Sequence, residues 1–264
     1  MEIFQAIILG AIQGLTELLP ISSSAHLVLA PRFFNWPYLG LGFDASIHLG
    51  TFLAIFIYFK KDIKKIVKGA LDSFKKRKIE TFDEKMAWYI VLGSIPAIIA
   101  AVFLRNLAES IFRGTFVILW ALLIGTALLF IADHYMVRHK NLDKITAKDS
   151  LIIGASQILA LVPGFSRSGT TISFGRFLKF DRESAAKFSF LLSLPITLGA
   201  GLFELKEVDF TSNSISVYAA GIISSAIFGF IAVKFLLKYI SNHNFNIFVY
   251  YRLFLSLLII LFLF

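Results

Sequence analysis

Six stretches of this chain are continuous apolar sequence close to the length of a bilayer crossing: 43–59, 86–104, 115–132, 186–203, 216–233 and 247–264. A helix needs roughly 20 such residues to cross a hydrocarbon core, where every backbone polar group must be paired within its own segment. The runs are too uniform for barrel strands, which alternate polar and apolar residues. The fold class that follows is an all-α polytopic membrane protein. Composition agrees, because 57% of the 264 residues are hydrophobic and only 16% are charged. The chain has no cysteine, hence neither a disulfide nor a thiolate metal site. Its first residues, MEIFQAIILG, lack the basic start of a signal peptide.

Two further apolar segments are interrupted. Segment 3–29 is broken by Glu17, Pro20 and Ser22-Ser23-Ser24, and segment 151–178 by PGFSRSGTT, Pro163 to Thr171. Proline and glycine stop a helix, and serine or threonine caps the next one. Each segment therefore reads as half-helix, irregular tip, half-helix. Laid without a gap, residues 7–27 and 151–171 are identical at seven of 21 positions: Ile8/Ile152, Gly10/Gly154, Ala11/Ala155, Gln13/Gln157, Leu15/Leu159, Ser22/Ser166 and Ser24/Ser168. Apolar composition supplies chance matches of Ile and Leu. It does not readily supply a matched Gln and two matched Ser, so the segments form an internal repeat. Three spans lie between the copies, an odd number, and the second copy enters from the opposite side. The expected architecture is six transmembrane helices plus two re-entrant broken-helix hairpins in an inverted-topology repeat. It forms a single integral membrane domain, 1–264, with repeat halves 1–145 and 146–264. Repeats of this kind meet near the midplane and build a site from broken helices.

The net charge is +9, and its distribution argues against nucleic acid as a partner. Ten Lys/Arg lie between Lys60 and Lys85, between two apolar runs, as in a cytoplasmic loop under the positive-inside rule. With that loop inside, 133–150, 174–187 and 234–246 are inside too, and these regions hold 20 of the 26 basic residues. The other side holds Arg32, Arg105, Arg113 and Lys206, and both termini. The Lys run 60–78 reads as a topology signal and a contact with anionic membrane lipids.

Arg167 and Arg252 lie inside apolar sequence. An arginine at membrane depth costs at least ~2.5 kcal/mol and marks a function or a buried partner. Around Arg167 stand Gly164, Ser166, Ser168, Gly169, Thr170 and Thr171. Glycine admits a ligand to the backbone, hydroxyls donate, and a helix starting here aims free N–H groups at the same point. Such a loop binds anions, phosphate in particular, with arginine as a bidentate fork. The plainer reading pairs Arg167 with Glu17 or Asp44 to hold the bundle together.

The first tip, QGLTELLPISSSAH, carries Gln13, Glu17, Ser22, Ser23, Ser24 and His26. Gln13 and Glu17 share a helix face, and Ser23 and His26, three apart, can meet on a restarted half-helix. Hydroxyl, imidazole and carboxylate are the parts of nucleophilic catalysis. Each residue also has a plainer role: helix caps for the serines, a bond to a backbone carbonyl for His26, an ion pair for Glu17. Asp44 and His48, four apart, line an entrance or sit at the interface. Arg252, beside Tyr250 and Tyr251, reads as structural. A pocket at membrane depth favours a lipid-linked diphosphate, and phosphoryl transfer needs charge neutralised and groups positioned. Inverted repeats with broken helices are equally a transporter architecture, so a flippase of a phosphate-bearing lipid is the competing reading.

QGLTELLPISSSAH and PGFSRSGTT resemble the two signature motifs of the undecaprenyl-diphosphate phosphatase family, the bacitracin-resistance membrane phosphatases. The likeness extends to motif spacing, span count and the intervening FDASIHLGTFLAIF. It implies hydrolysis of undecaprenyl diphosphate to undecaprenyl phosphate at the outer face of the bacterial cytoplasmic membrane, recycling the lipid carrier of wall synthesis. It implies Glu17 as general base or metal contact, Ser23 and His26 as nucleophile and proton partner, and Arg167 as a catalytic contact. Ser166, Ser168 and Thr171 match the diphosphate-holding loop, which Gly164 and Gly169 shape, while Ser22 and Ser24 are caps or phosphate donors. The divalent cation in view is Mg2+ or Ca2+ on Glu17. Gln13 stands where other members often carry glutamate, which removes a negative charge from any scheme with two carboxylates on one cation. The homodimer state and the prenyl chain length stay open.

Overall fold

The computed structural model describes residues 2–109, 111–136, 140–204 and 215–263. Lys206, placed above on the outer side, lies outside them, as does the side chain of Arg105. The described residues are helical, and their one β contact is an isolated bridge between Lys140 and Phe180.

The first broken segment forms α1 (Glu2–Leu18) and α2 (Ser23–Phe33) around a four-residue tip. Next come α3 (Leu41–Tyr58), α4 (Lys60–Lys76), α5 (Phe82–Glu109) and α6 (Thr115–Tyr135). The second broken segment forms α7 (Ala147–Ser156), a 3-10 stretch (Gln157–Leu161), a tip and α8 (Arg167–Phe177). The chain closes with α9 (Arg182–Glu204), α10 (Ile215–Ile240) and α11 (Asn246–Leu263).

Every apolar run read as a span is a helix, but they are not equivalent. Among the described residues four helices are long and apolar enough to cross a bilayer: Phe82–Leu104, Thr115–Tyr135, Arg182–Phe203 and Ile215–Ile240. The run 43–59 reaches that length only together with α4, from which it is bent by 85°. The run 247–264 appears as the shorter apolar helix Asn246–Phe262. The protein is thus a multi-pass helical membrane protein with four or five such spans. The basic stretch read as a loop is largely α4. Large apolar side chains cover the outside, among them Val102 at 72% and Phe103 at 82% exposure, as expected where lipid rather than water is the solvent.

Packing is reciprocal between the halves. Half-helix α1 lies along α10, and half-helix α7 along α5. Both crossings are glycine on glycine: Gly10 faces Gly221, and Gly154 faces Gly93, each too close to admit a Cβ. Small residues let helices approach in a bilayer, where burial of apolar area gives no net drive. Serines tie the same crossings: Ser224 donates to the Ile7 carbonyl at 2.7 Å and Ser150 to the Tyr89 carbonyl at 2.5 Å. This packing holds both tips inside the bundle.

Candidate active site

Each tip ends in the same device. Ser22 and Ser166 are the N-caps of α2 and α8, and both have positive φ, 73° and 70°. Their hydroxyls accept from the backbone N–H three residues on, Ala25 at 3.4 Å and Gly169 at 3.1 Å. Each also pairs with the serine two residues on, Ser24 at 3.3 Å and Ser168 at 3.2 Å. The strained cap turns the chain so that the next half-helix aims its N-terminus into the bundle.

The tips are stitched together. Ser22 accepts from the Gly164 N–H at 3.0 Å, and Ser168 donates to the Leu19 carbonyl at 3.0 Å. Gly164 has φ of +114°, and a Cβ there would come within 2.5 Å of the Ile118 carbonyl, so a side chain is excluded on both counts. Arg252, fully buried, locks the junction. It donates to Pro20 O at 3.2 Å in the first tip, and to Gly164 O at 2.9 Å and Phe165 O at 3.1 Å in the second. It also reaches Leu122 O and Thr126 Oγ1 on α6 at 3.0 and 2.8 Å. Five bonds to neutral oxygens satisfy its fork, and the structural reading of Arg252 holds.

At the junction, side chains from both tips meet on one carboxylate. Ser23, the first residue of α2, donates to Glu17 Oε2 at 2.5 Å. Arg167, the first residue of α8, reaches Glu17 Oε1 with Nη2 at 2.5 Å. Gln13, one turn before Glu17, donates to Oε2 at 3.2 Å, and His48 Nε2 lies 3.8 Å from the same oxygen. The group is buried: Gln13 is 0%, Glu17 9% and Ser23 9% exposed. Yet Arg167 Nη1 and Gln13 Oε1 have no partner. Half the arginine fork and one amide oxygen thus stand ready for a ligand, next to two helix N-termini. Buried polar atoms left unpaired cost stability, and here, beside two helix N-termini, they offer a ligand its contacts.

The serine and histidine expected to meet do not. His26 Nδ1 lies 2.6 Å from the Ser22 carbonyl, and Nε2 lies 2.7 Å from the Tyr251 hydroxyl. A carbonyl only accepts, so Nδ1 carries the proton, and in the neutral ring Nε2 is left to accept from Tyr251. The ring stacks on Tyr251 at 5.6 Å. His26 therefore braces the carbonyl before Ser23, while Ser23 turns to Glu17. Thr171 points away too, bonding the Arg167 carbonyl at 2.8 Å and the Ser189 hydroxyl on α9 at 2.6 Å. Gly169 lies behind the cap, near Arg252. The plainer pairing of Arg167 with Glu17 is also present, at the centre of the site.

His48 and Tyr251 are the neighbours that sequence reasoning undervalued. The spacing of Asp44 and His48 gave the signal: His48 Nδ1 is held by the Asp44 carbonyl at 2.7 Å, which aims Nε2 at Glu17. Asp44 accepts from Tyr38 at 2.8 Å and borders a cavity of about 410 Å³ with Arg32, Trp36 and Arg113. The cavity lies at the end of α3 opposite lysine-rich α4.

Fold and site define a helical membrane protein whose buried polar centre is assembled from two helix breaks. The chain belongs to the family of Bacitracin resistance protein BacA, whose match spans residues 6–258. It is similar to the undecaprenyl-diphosphatase of Pelotomaculum thermopropionicum, 45% identical over 98% of this chain and 96% of that one. It is also similar to the undecaprenyl-diphosphatases of Marinobacter nauticus, 44% identical over 97% of both chains, and Gemmatimonas aurantiaca, 40% identical over 98% and 97%.

Proposed function

We infer that this protein hydrolyses undecaprenyl diphosphate to undecaprenyl phosphate and inorganic phosphate, recycling the lipid carrier of wall synthesis. One observation carries the reading of the site: a hydroxyl from one tip and a guanidinium from the other converge on one buried carboxylate. Glu17 takes the Ser23 proton as Oγ attacks the terminal phosphorus. The bond to the bridging oxygen breaks, and undecaprenyl phosphate leaves. Arg167 Nη1 and the N-termini of α2 and α8 hold the non-bridging oxygens, where charge builds in the transition state. Glu17 passes the Ser23 proton to the departing undecaprenyl phosphate, then takes one from the water that attacks phosphoserine and returns it to Ser23 Oγ as the serine–phosphorus bond breaks, releasing phosphate. A flippase would not need Ser23 set against Glu17.

A divalent cation, Mg2+ or Ca2+, belongs to the proposal. Among the described residues no cluster of three His, Cys, Asp or Glu could hold one. Glu17 and the unpartnered Gln13 Oε1 make a sparse hard-oxygen donor set. It suits Mg2+, which keeps waters and takes its other ligands from substrate phosphates. When bound, the ion supplies charge neutralisation to the diphosphate.

The topology proposed is six spans, α3, α5, α6, α9, α10 and α11, with α1–α2 and α7–α8 re-entrant in an inverted repeat of halves 1–145 and 146–264. The reciprocal packing of α1 on α10 and α7 on α5 supports it. Positive-inside charge puts α4 at the cytoplasmic face of the bacterial inner membrane and the Arg32–Arg113 cavity at the outer face, from which the site is reached.

Purified protein in detergent should release phosphate from farnesyl or undecaprenyl diphosphate. A chelator should suppress release and Mg2+ restore it. No release by well-folded protein would overturn the function, and full release in chelator would remove the cation alone.

A further inference from the structure

Helix α4 leaves α3 at an 85° bend, so with α3 across the bilayer it lies in the membrane plane. At about 100° per residue its side chains fall into three sectors. Ile63 and Ile66 pack on the core, and Gly69 and Ser73 are buried beside them. A second sector holds Val67, Leu71 and Phe74, exposed to 53, 58 and 77%. The third holds Lys61, Lys65, Lys68 and Lys76, while Lys64 and Lys75 edge the apolar stripe and Lys60 stands at its N-terminal end.

A helix with one face on protein, one apolar and bare, and one charged fits a boundary between hydrocarbon and water. The depth agrees: Trp88, on the adjoining start of α5, donates to Ser73 at 2.9 Å and is 37% exposed, and tryptophan favours headgroup level. α4 carries seven lysines against two aspartates, and Asp62 is engaged by Lys187 at 2.6 Å. We propose that α4 docks on anionic phospholipid headgroups, with Val67, Leu71 and Phe74 sunk in the acyl boundary beneath the lysines. Charge selects the occupant, because the same lysine rows would repel a second copy and complement phosphodiesters. The in-plane placement rests on α3 as a span and the cytoplasmic leaflet on loop charge, both parts of the proposed topology, and none of it rests on the phosphatase reading.

The chain lacks cysteine, so single cysteines replacing Leu71, Phe74 or Lys68 can carry nitroxides in nanodiscs of phosphatidylcholine with or without phosphatidylglycerol. Labels at 71 and 74 should be relaxed by oxygen and shielded from an aqueous nickel chelate, and the label at 68 the reverse. Nickel access at 71 and 74 equal to that at 68, or spin–spin broadening from a second copy, would overturn the docking. In a Trp36→Phe/Trp120→Phe background, brominated phosphatidylglycerol should quench Trp88 more than brominated phosphatidylcholine at equal mole fraction. The preference should fall in Lys60→Gln/Lys64→Gln/Lys75→Gln, with phosphate release retained. Equal quenching by both lipids before those substitutions would overturn the anionic selection.

Discussion

At the first tip the residue that opens the second half-helix is Ser23; at the same offset in the second tip it is Arg167. Both follow a serine cap with positive φ, and both reach Glu17. The segments leading in differ more. α1 runs as regular helix to Leu18 and so presents Glu17 one turn beyond Gln13, whereas α7 stops at Ser156 and the chain tightens into a 3-10 stretch. There Leu161 occupies the offset of Glu17. The shared serines set the geometry, and the diverged positions supply the chemistry. One copy became acid and hydroxyl and the other cationic, so a charge-matched site needs both.

The largest effect should come from the residue that serves both tips. Arg252→Leu strands carbonyls of each, at about 1–3 kcal/mol for every buried acceptor left unpaired. Monodisperse protein on size exclusion should largely vanish, and a folded, active variant would show that the tips align without it. Next, Glu17→Gln should lower phosphate release about 10³-fold, the scale of a lost general base, with folding kept. Arg167→Lys keeps the charge and loses the fork. Turnover should fall roughly 10²-fold, as for one lost oxyanion donor, and near-normal turnover would reduce Arg167 to a counter-charge.

The smallest effect separates the two caps. Ser166→Ala should cost about 1 kcal/mol of stability, the usual worth of a cap. Ser22→Ala should cost more, because it also leaves the buried Gly164 N–H without its acceptor. Thermal denaturation in detergent reads the order, and equal losses would mean that the tip-to-tip bond contributes nothing.

Much of this was legible in the sequence because membrane helices follow from local apolar length, and the repeat from matched polar residues that composition does not explain. The pairing of Gln13 with Glu17 was legible for the same reason, as i, i+4 neighbours on one helix. The partner of Ser23 was not. Spacing brings His26 onto its helix, but a contact also needs direction, and Tyr251 on α11 draws the imidazole away. The burial of Arg252 among carbonyls of both tips depends on four separate segments meeting, which no local pattern encodes. The bend at Phe59 was hidden because a lysine run marks the inner side equally well as loop or helix.

The central claim is that Ser23, set against Glu17 by one tip and faced by Arg167 from the other, is the nucleophile. Rapid quench of wild-type protein with substrate labelled in the terminal phosphate tests it most directly. Label should appear on Ser23 within the first turnover, and Ser23→Ala should lose both label and phosphate release while still binding substrate. His26→Gln, acting through one hydrogen bond to the Ser22 carbonyl, should keep the label and lose less than about tenfold in rate. No trapped phosphoserine under several quench conditions, together with substantial release by Ser23→Ala, would contradict the account and leave water as the attacking group.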